Sequence, residues 1–123
     1  MPIHSLARAL DQHFHALADP TRRAIVARLC KGPASVTEIS APFTMVMPTL
    51  LQHIRGLEHS GLITSQKTGR VRTCAMRKAA FDTSAAWLAQ QRAVWEARRD
   101  CLDAYVIDLH AKEKAHARRQ RKT

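Results

Sequence analysis

Thr49, Gln52, His53 and Arg55 place a hydroxyl, a primary amide, an imidazole and a guanidinium within one short stretch. If that stretch is helical, these are the polar side chains able to point away from the apolar positions Leu50, Leu51, Ile54 and Leu57. The chemistry they offer is recognition rather than bond making. A glutamine amide can pair with both hydrogen-bonding atoms of an adenine edge, and a guanidinium with guanine or a phosphate. A threonine can meet a thymine methyl or a phosphate oxygen. The competing reading of Gln52 and Arg55 is a solvated helix face, and for His53 a place in the core; the residues alone leave His53 open. Further on, Lys67, Arg70 and Arg72 surround Gly69. A protruding cationic turn suits phosphate or minor-groove contact, where charge matters more than hydrogen-bond pattern; the alternative is a solvated hairpin.

Catalytic chemistry finds little material here. There is no Gly-x-Ser-x-Gly, no paired acids in an apolar setting, and only four Gly from which to build a phosphate-cradling loop. No catalytic residue and no cofactor is expected, and the chain is not expected to be an enzyme. Cys30, Cys74 and Cys101 fall on three different elements without the Cys-x-Cys or Cys-x-x-Cys spacing of a zinc site, so no metal site is expected from them. Each reads as a small buried hydrophobe. An odd number of distant cysteines fits reduced thiols in the cytoplasm better than a disulfide framework. His13-x-His15 projects to different faces of a helix and makes a poor chelate.

Charge narrows the partner class. The 123 residues carry 20 Lys+Arg against 10 Asp+Glu, a formal charge of +10, which points to a polyanion and most simply to nucleic acid. The excess is unevenly placed. Residues 51–78 carry Arg55, Lys67, Arg70, Arg72, Arg77 and Lys78 against Glu58. Residues 112–123 carry Lys112, Lys114, Arg118, Arg119, Arg121 and Lys122 against Glu113, whereas 79–111 is slightly acidic. No apolar run is long enough to span a membrane. The opening MPIHSLARALDQ lacks the basic and then apolar regions of a secretory leader.

Five helices and a hairpin would position these groups. Leu6, Leu10, Phe14 and Leu17 give an amphipathic helix over 4–18. Asp19-Pro20 supplies an N-cap and a first-turn Pro for a helix through Ile25, Val26 and Leu29, which stops at Gly32-Pro33. Arg22 and Arg23 at its start suit structural or backbone contacts. Ser35-Val-Thr-Glu38 is a capping box for a short helix that Pro42 ends. Thr44 can cap the next helix, about 46–59, with Pro48 in its first turn and Gly61 beyond its end. Residues 62–66 and 71–76 alternate as strands about a tip at Lys67-Thr68-Gly69-Arg70. After Ala79 a long helix carries Phe81, Leu88, Trp95, Leu102 and Leu109 seven apart, beside a row of Trp87, Val94 and Cys101. The fold class expected is mainly α, a winged helix-turn-helix. It would form one domain over 1–111, followed by a basic, disordered tail over 112–123.

Longer runs sharpen this. ALADPTRRAIVARL at 16–29, SVTEISAPF at 35–43, PTLLQHIRGLEHSGLI at 48–63 and GRVRTCAM at 69–76 resemble the ArsR/SmtB-type family of bacterial transcriptional repressors, over about residues 10–110. The later segment with Trp87 and Trp95 looks like its non-metal branch. The resemblance implies a homodimer joined through the first and last helices, with Leu6, Leu10, Trp87, Trp95, Leu102 and Leu109 at the interface. It also implies double-stranded DNA as partner, and a recognition helix over about 46–59. Many members begin that helix with Ser-x-Pro and carry a second Ser three positions after the Pro. This chain has Val46-Met47-Pro48 and Leu51, so base preference does not transfer. Metal-sensing members carry thiolates in the short helix or carboxylate and His ligands along the last. Here the short helix lacks Cys, and Asp108, His110 and Glu113 give only a partial echo. The expected function is a cytoplasmic, sequence-specific repressor acting on an inverted-repeat operator. The alternatives are a nonspecific nucleic-acid-binding protein, for which one Tyr and three Phe offer few stacking platforms, and a protein-interaction module that keeps the fold. No residue pattern identifies an inducer, whether small molecule or protein.

Overall fold

The computed structural model describes the backbone of residues 2–122 and the side chains of residues 7–121. The elements run α1 (Pro2–Leu17), α2 (Pro20–Leu29), β1 (Ala34–Ser35), α3 (Val36–Ser40), α4 (Met47–His59), β2 (Ile63–Thr68), β3 (Val71–Met76) and α5 (Asp82–Lys122). They fall into two compact units, Met1–Ala85 and Ala86–Thr123.

Short-range capping starts the helices of the first unit. Asp19 accepts the Arg22 backbone N–H at 2.9 Å, and Pro20 follows it with no N–H to satisfy. Ser35 and Glu38 close both halves of the capping box of α3, the Glu38 N–H reaching Ser35 Oγ at 3.1 Å and the Ser35 N–H reaching Glu38 Oε1 at 3.4 Å. α4 departs from expectation: its N-cap is Val46, with no side-chain hydrogen bond, and Thr44 does not cap it. Pro48 in the first turn lacks an N–H, and the Thr49 and Leu50 N–H groups already turn back to the Val46 carbonyl at 3.1 and 3.2 Å. Little is left for a hydroxyl to satisfy.

Leu50, Ile54 and Leu57 of α4 are buried with Ile25, Val26 and Leu29 of α2, Ile39 of α3, and Leu62, Ile63 and Cys74 of the sheet. Burying one such side chain contributes about 1.5–3 kcal/mol, so this cluster carries the unit. Of the cysteines only Cys74 is buried; Cys30 and Cys101 are exposed, against expectation. Cys30 is the C-cap of α2, where the chain leaves the core, and Cys101 lies on a stretch of α5 whose side chains are all exposed. Phe14 is likewise 40% exposed, and the face of α1 that turns inward carries Ala16 and His13. His13 Nδ1 lies 3.0 Å from Ser84 Oγ, a buried polar pair that ties α1 to the start of α5.

The sheet is antiparallel with order β1-β3-β2, one strand more than the expected hairpin. Ala34 pairs with Cys74 and Ser35 with Thr73, so Ser35 ends a strand and caps a helix at once. In the hairpin Thr68 pairs with Val71, leaving Gly69-Arg70 as a two-residue turn. Gly69 takes φ 63° and no described non-glycine residue has positive φ, the pattern of a II′ turn with Gly first.

α5 begins at Asp82, after a turn in which the Asp82 N–H reaches the Ala79 carbonyl, and it continues through Lys122. The segment from residue 112 through Lys122 is part of this helix. Lys112 pairs with Asp108 one turn back at 3.1 Å, and Ala111, Ala115 and Ala117 favour the helix. No described helix is long and apolar enough to cross a membrane.

Replacing Ser35 by Ala removes the cap of α3 at the point where β1 meets it. The expected cost is about 1 kcal/mol, read as a lower urea midpoint at unchanged slope; an unchanged midpoint refutes this account of the junction.

Candidate nucleic-acid interface

Burial of Leu50, Ile54 and Leu57 sets the rotation of α4 about its axis. Thr49, Gln52 and Arg55, spaced three apart, then fall on the opposite side, and all three are exposed. Three of the four polar residues predicted on this helix are therefore brought together as a strip facing solvent. Arg55 has no ion-pair partner among the described residues.

His53 is placed differently. It lies on one flank of α4, its side chain 22% exposed and its Nδ1 3.6 Å from Asp19 Oδ2. The question that the sequence left open is answered by a contact with the N-cap of α2. The Asp19 carboxyl sits below its usual range, chiefly because it accepts the Arg22 N–H; partial burial opposes this, and the charges of His53 and Arg22 reinforce it. Its stabilising contribution is therefore present above the ordinary carboxylate range and is lost as pH falls through the lowered value. On the same flank the Arg22 guanidinium lies over Gly56, 3.3 Å from where a β-carbon would stand, and its Nε donates to the Ala16 carbonyl at 2.9 Å. Arg23 donates to the Leu17 carbonyl at 2.8 Å. Both arginines hold the α1–α2 corner.

The opposite flank meets the wing. Ser65 of β2 donates from Oγ to Glu58 Oε1 at 2.7 Å, and Arg72 of β3 donates to Ser65 Oγ at 3.0 Å. This chain of hydrogen bonds runs from α4 to both strands. The register explains it: Lys67 pairs with Arg72 and Ser65 with Cys74, so these four share the sheet face that carries buried Ile63. Burial raises the Cys74 thiol above its ordinary range; the Glu58 charge adds to this and Arg72 opposes it. Glu58 and Ser65 were not singled out from the sequence as site residues.

Between the wing and the first turns of α3 and α4 lies a cleft of about 360 Å³. It is lined by the cationic residues Lys67, Arg70 and Arg72, by Ser35 and Thr37, and by the apolar Met47 and Leu51. Lys67 and Arg70 are exposed and have no ion-pair partner among the described residues. The cleft's cations are chemically fitted to a phosphate group, whereas the Ser35 hydroxyl is already donated to Glu38 Oε1 at 3.1 Å. No cluster of three or more metal-ligating side chains occurs among the described residues. Asp108 is paired with Lys112, and His110 lies 4.0 Å from Glu113.

The candidate interface residues of the last helix lie in the second unit. Trp95 is 59% exposed, Leu102 54% and Leu109 40%, with Trp87 also largely exposed. Leu10 is half-buried, and the side chain of Leu6 lies outside the described residues.

Comparison with known proteins agrees with this architecture. Residues 17–66, covering α2 to most of β2, match a helix-turn-helix domain family. The HTH-type transcriptional regulator Rv2034 of Mycobacterium tuberculosis is 38% identical over 65 residues, a match spanning 53% of this chain and 61% of that protein's length. The solved homodimeric winged helix-turn-helix domain of Mb0332 from Mycobacterium bovis shares the fold, with a TM-score of 0.57 at 21% identity over 77% of this chain and 85% of that one. The crystal structure of the ArsR family transcriptional regulator RHA00566 superposes with a TM-score of 0.69 at 52% identity, covering 72% of this chain and 97% of that chain. Identity at that level over nearly the whole of a regulator, together with the helix-turn-helix and wing described above, places this chain in the ArsR family of transcriptional regulators.

Proposed function

We propose that the chain acts as a homodimer that binds an inverted-repeat operator in duplex DNA and represses transcription from it. The strip of Thr49, Gln52 and Arg55 carries this reading: it is solvent-facing, opposite the core, and flanked on both sides by contacts that hold the helix still. In this reading α4 enters the major groove, Gln52 pairs with a base edge, and Arg55 meets guanine or phosphate. Lys67 and Arg70 meet backbone phosphates beside it, while Arg72 divides its donors between Ser65 and the cleft. Val46 stands 67% exposed where many relatives carry a Ser hydroxyl, and Met47 beside it is 41% exposed, so a thymine methyl is the natural partner of this helix start. His53 belongs to the support of α4 rather than to the base contacts.

Two recognition helices related by a two-fold axis require half-sites about 34 Å apart, or a multiple of that spacing. Supporting a dimer seam, the apolar side chains at 87, 88, 94, 95, 101, 102, 105, 106 and 109 of α5 share an arc of about 140° at helical spacing. Leu10 and Leu6 of α1 join that interface in this reading. The negative balance of residues 79–111 suits a helix placed away from DNA.

Selection of bound sites from random duplex DNA tests the function in one step. A two-fold symmetric site is expected; recovery of no consensus overturns the specific reading. Substitutions then separate the roles. Gln52→Ala should relax preference at one base pair, worth about 1–3 kcal/mol of discrimination, whereas Arg70→Ala should weaken all duplexes alike and flatten the salt slope by about one. An unchanged specific-to-random ratio in the Gln52 variant means that α4 is read in the wrong register. Ser65→Ala should lower affinity through a loosened wing while thermal stability changes little, and wild-type affinity in that variant shows the hydrogen-bond chain to be dispensable. Trp95→Ala is expected to sediment as a monomer at micromolar concentration; a persistent dimer moves the seam elsewhere.

A further inference from the structure

We infer that the C-terminal turns of α5, residues 112–121, are a second and sequence-independent contact surface for the phosphate backbone of duplex DNA. The inference rests on the DNA-binding reading above and extends it to the unit that carries no recognition helix. Lys112, Lys114, Arg118, Arg119 and Arg121 are exposed on a segment that stays helical. At 100° per residue their directions fall within one half of the helix circumference, and the other half carries Glu113, His116, Ala117 and Gln120. Lys112 is paired with Asp108, and the one acid of the segment, Glu113, lies 4.0 Å from His110. Lys114, Arg118, Arg119 and Arg121 have no ion-pair partner among the described residues.

Three physical arguments assign the partner. Lys114 and Arg118 stand four apart, Arg118 and Arg121 three apart, and like charges at these spacings repel across the helix surface. The repulsion is relieved when a polyanion supplies the missing counter-charge. The helix dipole accounts only for cations in the last turn, and Lys114 and Arg118 precede it. A lipid surface is the other common polyanionic partner, but a helix lying in a membrane interface needs a large apolar face beside its basic one. Here the apolar arc ends at Leu109, and the basic segment offers only Ala115 and Ala117. A cationic half-face with no large apolar side chain opposite it suits backbone phosphates, which demand charge and little shape.

The test compares the full chain with the variant K114Q/R118Q/R119Q/R121Q, glutamine being a comparable helix former, with circular dichroism confirming that α5 is retained. Binding to a random-sequence duplex and to the selected operator is measured from about 50 to 200 mM salt. Each phosphate contact contributes about 0.9 to the slope of log affinity against log salt, so the variant should lose at least about two units of slope. Its affinity for both duplexes should fall about tenfold or more, with the ratio between them retained. Slopes agreeing within half a unit overturn the inference, as does a loss confined to the operator. Lost binding to phosphatidylserine vesicles with an unchanged DNA slope overturns it in favour of a lipid surface. A full chain that binds no duplex at low salt removes the DNA reading and this inference together, whereas normal binding with an unchanged slope removes this inference alone.

Discussion

Leu50, Ile54 and Leu57 form a single apolar line along α4, and their burial against α2, α3 and the sheet fixes one angle, the rotation of that helix about its own axis. Every recognition claim depends on that angle. A helix turned by one residue would bring Gln52 toward the wing and a leucine into the open. The burial sets the angle coarsely, since apolar contact is non-directional. Directional contacts on the two flanks refine it: Asp19 and Arg22 on one side, Ser65 and Glu58 on the other. The strip between them carries none of these supports. Its side chains are free to exchange water for another partner without disturbing the fold.

Charge is divided according to the same logic. Arginines with a structural duty are bound to carbonyl oxygens or to a carboxylate: Arg22 to Ala16, Arg23 to Leu17, Arg28 to Gly32 and Glu38. Among the described residues Arg55, Lys67 and Arg70 have no such partners, and they gather about one cleft and one helix face. Exposed ion pairs within the chain add little stability. Leaving these cations unpaired therefore costs the fold little and keeps their full charge for a ligand.

What the sequence makes legible is what closes within a few residues. Asp19-Pro20, the Ser35–Glu38 box and Gly69 each satisfy their own backbone locally, and all three stand in the structure where the reading puts them. The apolar spacing of α4 placed Thr49, Gln52 and Arg55 opposite the core for the same reason. Contacts between distant residues left no such trace. Nothing in the order of residues joins His53 to Asp19 or Arg72 to Ser65, and a two-residue strand such as β1 has no periodicity to detect. The cysteines were misjudged because residue type speaks of average burial, whereas Cys30 and Cys101 are exposed by position.

The pairing of β1 with β3 has a topological consequence. Ala34 meets Cys74, so that short ladder closes a loop containing α3, α4 and the first strand of the wing. Closing a loop of that length is entropically unfavourable before its contents are packed. The ladder therefore depends on the packing of the helices inside that loop. Once formed, it acts as a clasp: the wing cannot swing outward without stripping Ser35 from Thr73 and pulling on the first turn of α3. Wing and helix-turn-helix are bound into one cooperative body, and a force applied at the hairpin tip is transmitted through the start of α3 rather than absorbed in a loose β-ribbon.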